Sequence, residues 1–150
     1  NGKVVGRKVT DDAGVKCCPD ELTTITLESD VPAGISPGHV WLDLNPKDTK
    51  RGAFGFYPSD IPLVESPGKV DSDDWRGGPS GKSRTYKVCH ETKSKLKSSI
   101  GKHAADWFSL DNAQCPGRNC AGWASDRLGD AGLDAPIPLR IPLGGPLTWK

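Results

Sequence analysis

The sequence predicts an α+β fold in which an antiparallel sheet packs against a helix that begins at a cysteine. Three observations predict it. Glu21 to Glu28, His39 to Leu44, Gly52 to Tyr57 and Arg84 to His90 are short runs of strand-forming residues bounded by turn residues. Between Cys120 and Ala131, the residues Cys120, Trp123, Ala124, Leu128 and Ala131 recur at steps of three and four, which is one apolar face of a helix. Finally, 18 glycines and 13 prolines among 150 residues, with 35% hydrophobic content, describe one loop-rich domain rather than a helical bundle.

The elements follow in order. Asn1 to Asp20 is polar with scattered valines, an extended lead-in tethered by the Cys17-Cys18 pair. Glu21 to Glu28 alternates and is rich in Thr and Ile, so it is a strand. Val31 to Gly38 is a turn-rich loop, and His39 to Leu44 is the second strand. Asn45 to Arg51 is a charged turn, which makes Gly52 to Tyr57 the return strand of a hairpin. Ser59 to Gly81, full of Pro, Gly and Asp, is a long loop, and loops of this length are commonly functional or disordered. Trp75 within it either meets a ligand or pins the loop to the body.

Arg84 to His90 is the fourth strand. Glu91 to Trp107 is a helix with Leu96, Ile100 and Ala104 on one face and a solvated lysine face opposite. Trp107 to Leu110 is a short apolar piece leading to the loop that delivers Cys120. Asn119 occupies the N-cap position of the last helix, and Gly129 and Gly132 mark its stop. The tail from Ala135 to Lys150 carries too many prolines for a helix or a central strand, so it wraps along the surface with Trp149 as an anchor. There is no internal repeat.

Charge and composition exclude some functions. A net charge of +1 gives no footprint for nucleic acid. No apolar run approaches the length of a membrane span, and no signal peptide is visible. The chain contains no methionine, so it reads as a piece of a longer or processed polypeptide. Five cysteines suggest two disulfides and one free thiol, with Cys17, Cys18, Cys89 and Cys115 left to pair in an oxidising compartment if Cys120 is the free one. A zinc site of Cys17, Cys18, Cys89 and His90 is the rival, but its spacing does not match paired CxxC ribbons.

Cys120 is the candidate nucleophile. The start of a helix offers unpaired N–H groups and a partial positive charge. Both favour a thiolate, and the same N–H groups can hold an oxyanion. The bland alternative is a small buried residue or half of a disulfide. Of the three histidines, His103 falls off the apolar face of its helix and His90 ends a strand beside Cys89. His39 opens a strand directly after Ser36-Pro37-Gly38, at the rim of a sheet, where a base for Cys120 belongs.

Two motifs then gain a family context. Asn119-Cys120-Ala121-Gly122-Trp123 resembles the Asp-Cys-Ser-Gly-Phe motif of NlpC-type papain-like peptidases, and His39-Val40-Trp41-Leu42-Asp43-Leu44 resembles their His-Val-Gly-Ile-Tyr-Leu strand. Here His precedes Cys, an order similar to the circularly permuted branch that includes the lecithin–retinol acyltransferase-like proteins. Gly38-His39-Val40-Trp41, Gly55-Phe56-Tyr57-Pro58 and Asn119-Cys120 together also look like domains of bacterial polymorphic toxins and type VI secretion effectors. The resemblance covers roughly residues 36–60 and 105–133.

The resemblance implies a papain-like fold with Cys120 as nucleophile, His39 as general base, and the Cys120 amide in the oxyanion hole. It also implies a third polar residue on the next strand. Across the hairpin from His39 the pairing falls near Tyr57, with Ser59 and Asp60 just beyond, so Tyr57 takes that role. Asp43 shares a face with His39, but four strand residues is about 13 Å, too far for contact. Asn119, Trp123 and Trp75 are the candidate substrate contacts. The implied activity is that of a peptidoglycan amidase or endopeptidase toxin. It would be secreted, act in the periplasm of a target bacterium as a monomer without a cofactor, and be neutralised by an immunity protein. Two alternatives stay open: acyl transfer on a lipid, and a disulfide-stapled binding module in which Cys115 bonds Cys120.

Overall fold

The structure, a computed structural model, describes residues 7–31, 38–47, 52–59, 65–109 and 117–136. Within these residues the chain forms an antiparallel sheet and two helices, an α+β arrangement. The expected tail with its Trp149 anchor, and the pairing of Cys115, lie outside the described residues.

The lead-in is a small hairpin of β1 (Val9–Thr10) and β2 (Lys16–Cys17). A 3-10 turn over Pro19–Glu21 delays the next strand, so β3 runs Thr23–Asp30 rather than starting at Glu21. Then come β4 (His39–Asp43), β5 (Ala53–Pro58), β6 (Ser66–Ser72) and β7 (Ser83–Val88). Helix α1 (His90–Lys102), β8 (Trp107–Phe108) and α2 (Cys120–Asp130) complete the described elements. The six-stranded sheet has the order β7-β3-β4-β5-β6-β8, every pair antiparallel.

Two expectations are corrected. The loop expected from Ser59 to Gly81 contains β6. Pro67 and Gly68 hid it, since both weaken strand patterns. Gly68 is required there, because a Cβ would come within 2.1 Å of the Phe56 ring. The helix expected to reach Trp107 ends at Lys102. The carbonyls of Ala104 and Asp106 instead accept the N–H groups of Val70 and Gly68, so this segment completes the edge of β6.

One face of the sheet buries the apolar core. Val40, Leu42 and Leu44 meet Ala121, Trp123, Ala124 and Leu128 of α2, and Phe56 stacks on Trp123 at 5.1 Å. Side chains alternate across a strand, so His39, Trp41 and Asp43 lie on the other face of β4. That face is covered by the segment after β6. The N–H of Ser29 donates to the Lys82 carbonyl and that of Gly81 to the Ser29 carbonyl, and Ser80 bonds Asp30 through both its N–H and its hydroxyl.

A disulfide joins Cys17 to Cys89 across 72 residues of sequence. It holds the β1–β2 hairpin against the start of α1. Cys89 is the N-cap of α1 and its side chain caps nothing; instead Asp11 from the hairpin accepts the Cys89 N–H and the Thr92 hydroxyl. Burial works against the Asp11 charge, but these bonds outweigh it and hold the carboxyl below its ordinary range. With Cys17 and Cys89 joined, the zinc set loses two ligands, and Cys18 is an exposed free thiol. Cross-linking this loop is worth about 4 kcal/mol by chain entropy. The Cys17→Ser, Cys89→Ser double variant is therefore expected to lose most of that stability and to melt well below the native protein. A melting temperature unchanged by the double substitution would refute the assignment.

Candidate active site

The start of α2 forms as its local sequence dictates. The Asn119 side chain accepts the Gly122 N–H at 2.9 Å, and the Asn119 carbonyl accepts the Trp123 N–H. Asn119 is thus the N-cap, which sets Cys120 as the first helical residue. Its side-chain oxygen accepts the cap bond, which fixes Cys120 at the helix start. Gly132, with φ of 82°, follows the end of the helix. The Cys120 sulfur carries no disulfide.

Cys120, at the start of α2, is a neighbour whose thiol acts on the His39 imidazole. His39 is the first residue of β4, at the sheet rim where the start of α2 arrives. Its Nε2 meets Asp73 Oδ2 at 2.9 Å, which leaves Nδ1 as the ring nitrogen for Cys120. Burial resists a charge on His39, but the bond to Asp73 and the bond and charge of Cys120 outweigh it, and the imidazole is pushed up to about 9. Asp73 lies below its ordinary range: burial opposes its charge, but His39, Tyr57 and Arg76 stabilise it more. The described residues therefore place Cys120, His39 and Asp73 in sequence, with a hydrogen bond between the last two.

Asp73 is the residue that sequence reasoning missed. It follows β6, within the Ser59 to Gly81 stretch whose Pro, Gly and Asp content reads as a loop. Its backbone N–H reaches the Ala53 carbonyl, and its side chain is folded back over β5 to reach His39. Gly55 makes this possible. A Cβ there would lie 2.0 Å from Asp73 Oδ2 and 2.5 Å from His39 Nε2. A glycine inside a strand signals a close approach from elsewhere, and Gly55 in Gly52-Ala53-Phe54-Gly55-Phe56-Tyr57 was that signal. Gly55→Ala is expected to push the two side chains apart. Overpacking of this kind costs about 1–3 kcal/mol. For a catalytic role of His39, the displacement should also lower turnover by at least about 100-fold. A variant that melts lower yet reacts at the native rate would contradict this placement.

Tyr57 does stand across from His39, and the two rings stack at 4.6 Å. The orienting contact at Nε2, however, belongs to Asp73, and the Tyr57 hydroxyl donates to Asp73 Oδ1. Burial first, and the Asp73 bond second, push the Tyr57 hydroxyl above its usual range, so it remains a donor. Trp123, expected against substrate, is 1% exposed: it packs on Phe56, and its Nε1–H donates to the His103 carbonyl. Its step of three from Cys120 turns it into the core. Trp75 is 73% exposed, so it does not pin the loop by burial, and the Arg76 guanidinium lies 4.4 Å from its ring centre. Arg76 also donates to Asp73 and Asp30.

A cleft of about 270 Å³ opens on the Trp41 side of Asp73, lined by Glu28, Trp41, Asp43, Pro46, Ala53 and Arg76 among others, and neither His39 nor Cys120 lines it. Among the described residues, no group of three or more His, Cys, Asp or Glu is placed to hold a metal ion, and no helix is long and apolar enough to cross a membrane. No family model matches the chain, and no curated protein or solved structure is significantly similar to it.

Proposed function

We propose that this protein is a cysteine hydrolase of the circularly permuted NlpC-like, papain-like type, and that it cleaves an amide bond in peptidoglycan stem peptides as an antibacterial secreted effector. The observation that carries the hydrolase reading is the relay of Cys120, His39 and Asp73: a free thiol at a helix start, an imidazole on which it acts, and a buried carboxylate on the far ring nitrogen. The order His39, Asp73, Cys120 along the chain supports the permuted branch.

In this reading the Cys120 thiolate attacks the amide carbon and forms a tetrahedral oxyanion facing the Cys120 backbone N–H. The C–N bond breaks as protonated His39 gives its proton to the departing amine. Water then attacks the thioester, His39 takes its proton, and the acid leaves as the thiol is restored. Asp73 holds the ring and stabilises its charge throughout.

The free Cys120 sulfur weighs against the stapled binding module. Action in a target periplasm and neutralisation by an immunity protein belong to the same proposal, and the Cys17–Cys89 disulfide suits an oxidising compartment. The test is a digest of purified sacculi read by mass spectrometry. New amine and carboxyl ends within the stem peptide are expected. Intact muropeptides, together with acylation of Cys120 by a phospholipid, would replace the peptide reading with the lipid one.

A further inference from the structure

The relay does not end at Asp73. The Arg76 guanidinium bonds Asp73 in its own segment and reaches two strands, β3 and β5. Its Nε donates to Asp73 Oδ1 at 2.9 Å, Nη1 donates to Asp30 Oδ2 on β3 at 2.6 Å, and Nη2 donates to the Tyr57 hydroxyl on β5 at 3.3 Å. It lies between two indoles, 5.1 Å from the ring centre of the buried Trp41 and 4.4 Å from that of the exposed Trp75. Its side chain is 16% exposed and that of Asp73 fully enclosed, so little water screens the pair. A planar fork held at three points and stacked on a ring can fix a carboxylate's orientation, which a flexible ammonium cannot.

We propose that Arg76 is a positioning residue of this centre: it turns Asp73 so that Oδ2 faces His39, and it offsets part of the Asp73 charge. Asp30 then sets how much of the Arg76 charge reaches Asp73. This rests on Cys120 and His39 being the reacting pair. Asp73 as a lone buried carboxylate beside His39 would bind the imidazolium too tightly, and the proton would be slow to leave for an amine. Arg76 weakens that hold. Among the described residues, the charged and titratable groups around His39 are Asp73 and Arg76 from the segment after β6, Tyr57 from β5, Asp30 opposite it on β3, Cys120 from α2, and Glu28 and Asp43 further along the same face.

The proposal predicts shifts of opposite sign. Arg76→Gln removes a positive charge near His39, so the midpoint of the His39 titration should rise by about one pH unit. Asp30→Asn removes a negative charge and leaves Arg76 wholly to Asp73, so the midpoint should fall. Arg76→Lys keeps the charge without the fork, so the midpoint should stay near the native value while kcat drops several-fold at unchanged KM. The measurement is an NMR titration of the imidazole carbons, which the chain's three histidines keep simple to assign. Circular dichroism confirms folding at each pH, and Asp30→Asn alone decides the matter if Arg76→Gln does not fold. A His39 midpoint unmoved in the folded variants, or moved the same way in both, would overturn the proposal. The titration needs no substrate. Opposite shifts in a protein that leaves sacculi intact would therefore keep Arg76 in this role and remove the peptidoglycan reading alone.

Discussion

Cys120→Ala is expected to abolish release of muropeptides from sacculi while the protein stays folded. Removing the nucleophile of a hydrolytic relay lowers turnover by about 10⁴-fold or more, because the remaining groups can only bind and polarise the substrate. The change in packing is small. Cys120 is 9% exposed and its neighbour Ala121 is fully buried, so one sulfur is lost from an otherwise intact contact surface. The helix start survives too, since its cap is the Asn119 side chain on the Gly122 N–H, which the substitution leaves alone. Cys18→Ser is the matched control: that thiol is exposed on the hairpin side of the molecule and should be dispensable. Iodoacetamide followed by peptide mapping in the Cys18→Ser background gives a second readout, with Cys120 modified and the added His39→Ala substitution slowing that modification. Native rates of muropeptide release from Cys120→Ala would remove the cysteine mechanism, whatever the substrate.

The site divides into what is local in sequence and what is not. The Cys120 helix start was legible because a helix period and an N-cap need only neighbours three and four residues away, and Asn119 to Ala131 supplies both. The His39 strand and its Tyr57 partner were legible for a similar reason, since one short turn fixes which residues oppose each other. Trp123 shows the limit of adjacency. It stands three residues from the nucleophile, but the same period that put Cys120, Ala124 and Leu128 on one face already placed it in the core. Asp73, Arg76 and Asp30 were not legible. They meet through the pairing of β6 on β5 and the return of the next segment across β3, contacts set by tertiary packing. Pro67 and Gly68 blurred the strand that carries this geometry, so a carboxylate in Val70-Asp71-Ser72-Asp73-Asp74-Trp75 looked like one of several in a loop. Gly55 was the clue, because a strand interior gives up a side chain only where something else needs the room.

Asp73→Asn tests the relay more sharply than deletion would. The wild-type carboxylate accepts from three donors: Oδ2 from His39, and Oδ1 from Tyr57 and Arg76. An amide of the same shape has one oxygen. Two donors converge on the Oδ1 side, so the oxygen settles there and the NH₂ group faces His39 Nε2. A donor cannot face a donor, so the neutral imidazole must accept at Nε2 and carry its proton on Nδ1, the nitrogen turned toward Cys120. In that tautomer His39 cannot take the thiol proton. Loss of turnover by about 10³–10⁴-fold is expected, with the fold and the Cys120 helix intact. The pH dependence of stability should change with it. His39 is raised in the native state to about 9 from an ordinary value near 6.5, so its charge contributes stability that is fully present below pH 6.5 and is lost as pH rises through 9. Without the Asp73 charge that slope should flatten, and the variant should lose stability relative to the native protein at pH 6 but little at pH 10. Urea melts at the two pH values measure this directly. An Asp73→Asn variant that hydrolyses at the native rate, with the native slope of stability against pH, would show that Asp73 merely neighbours His39.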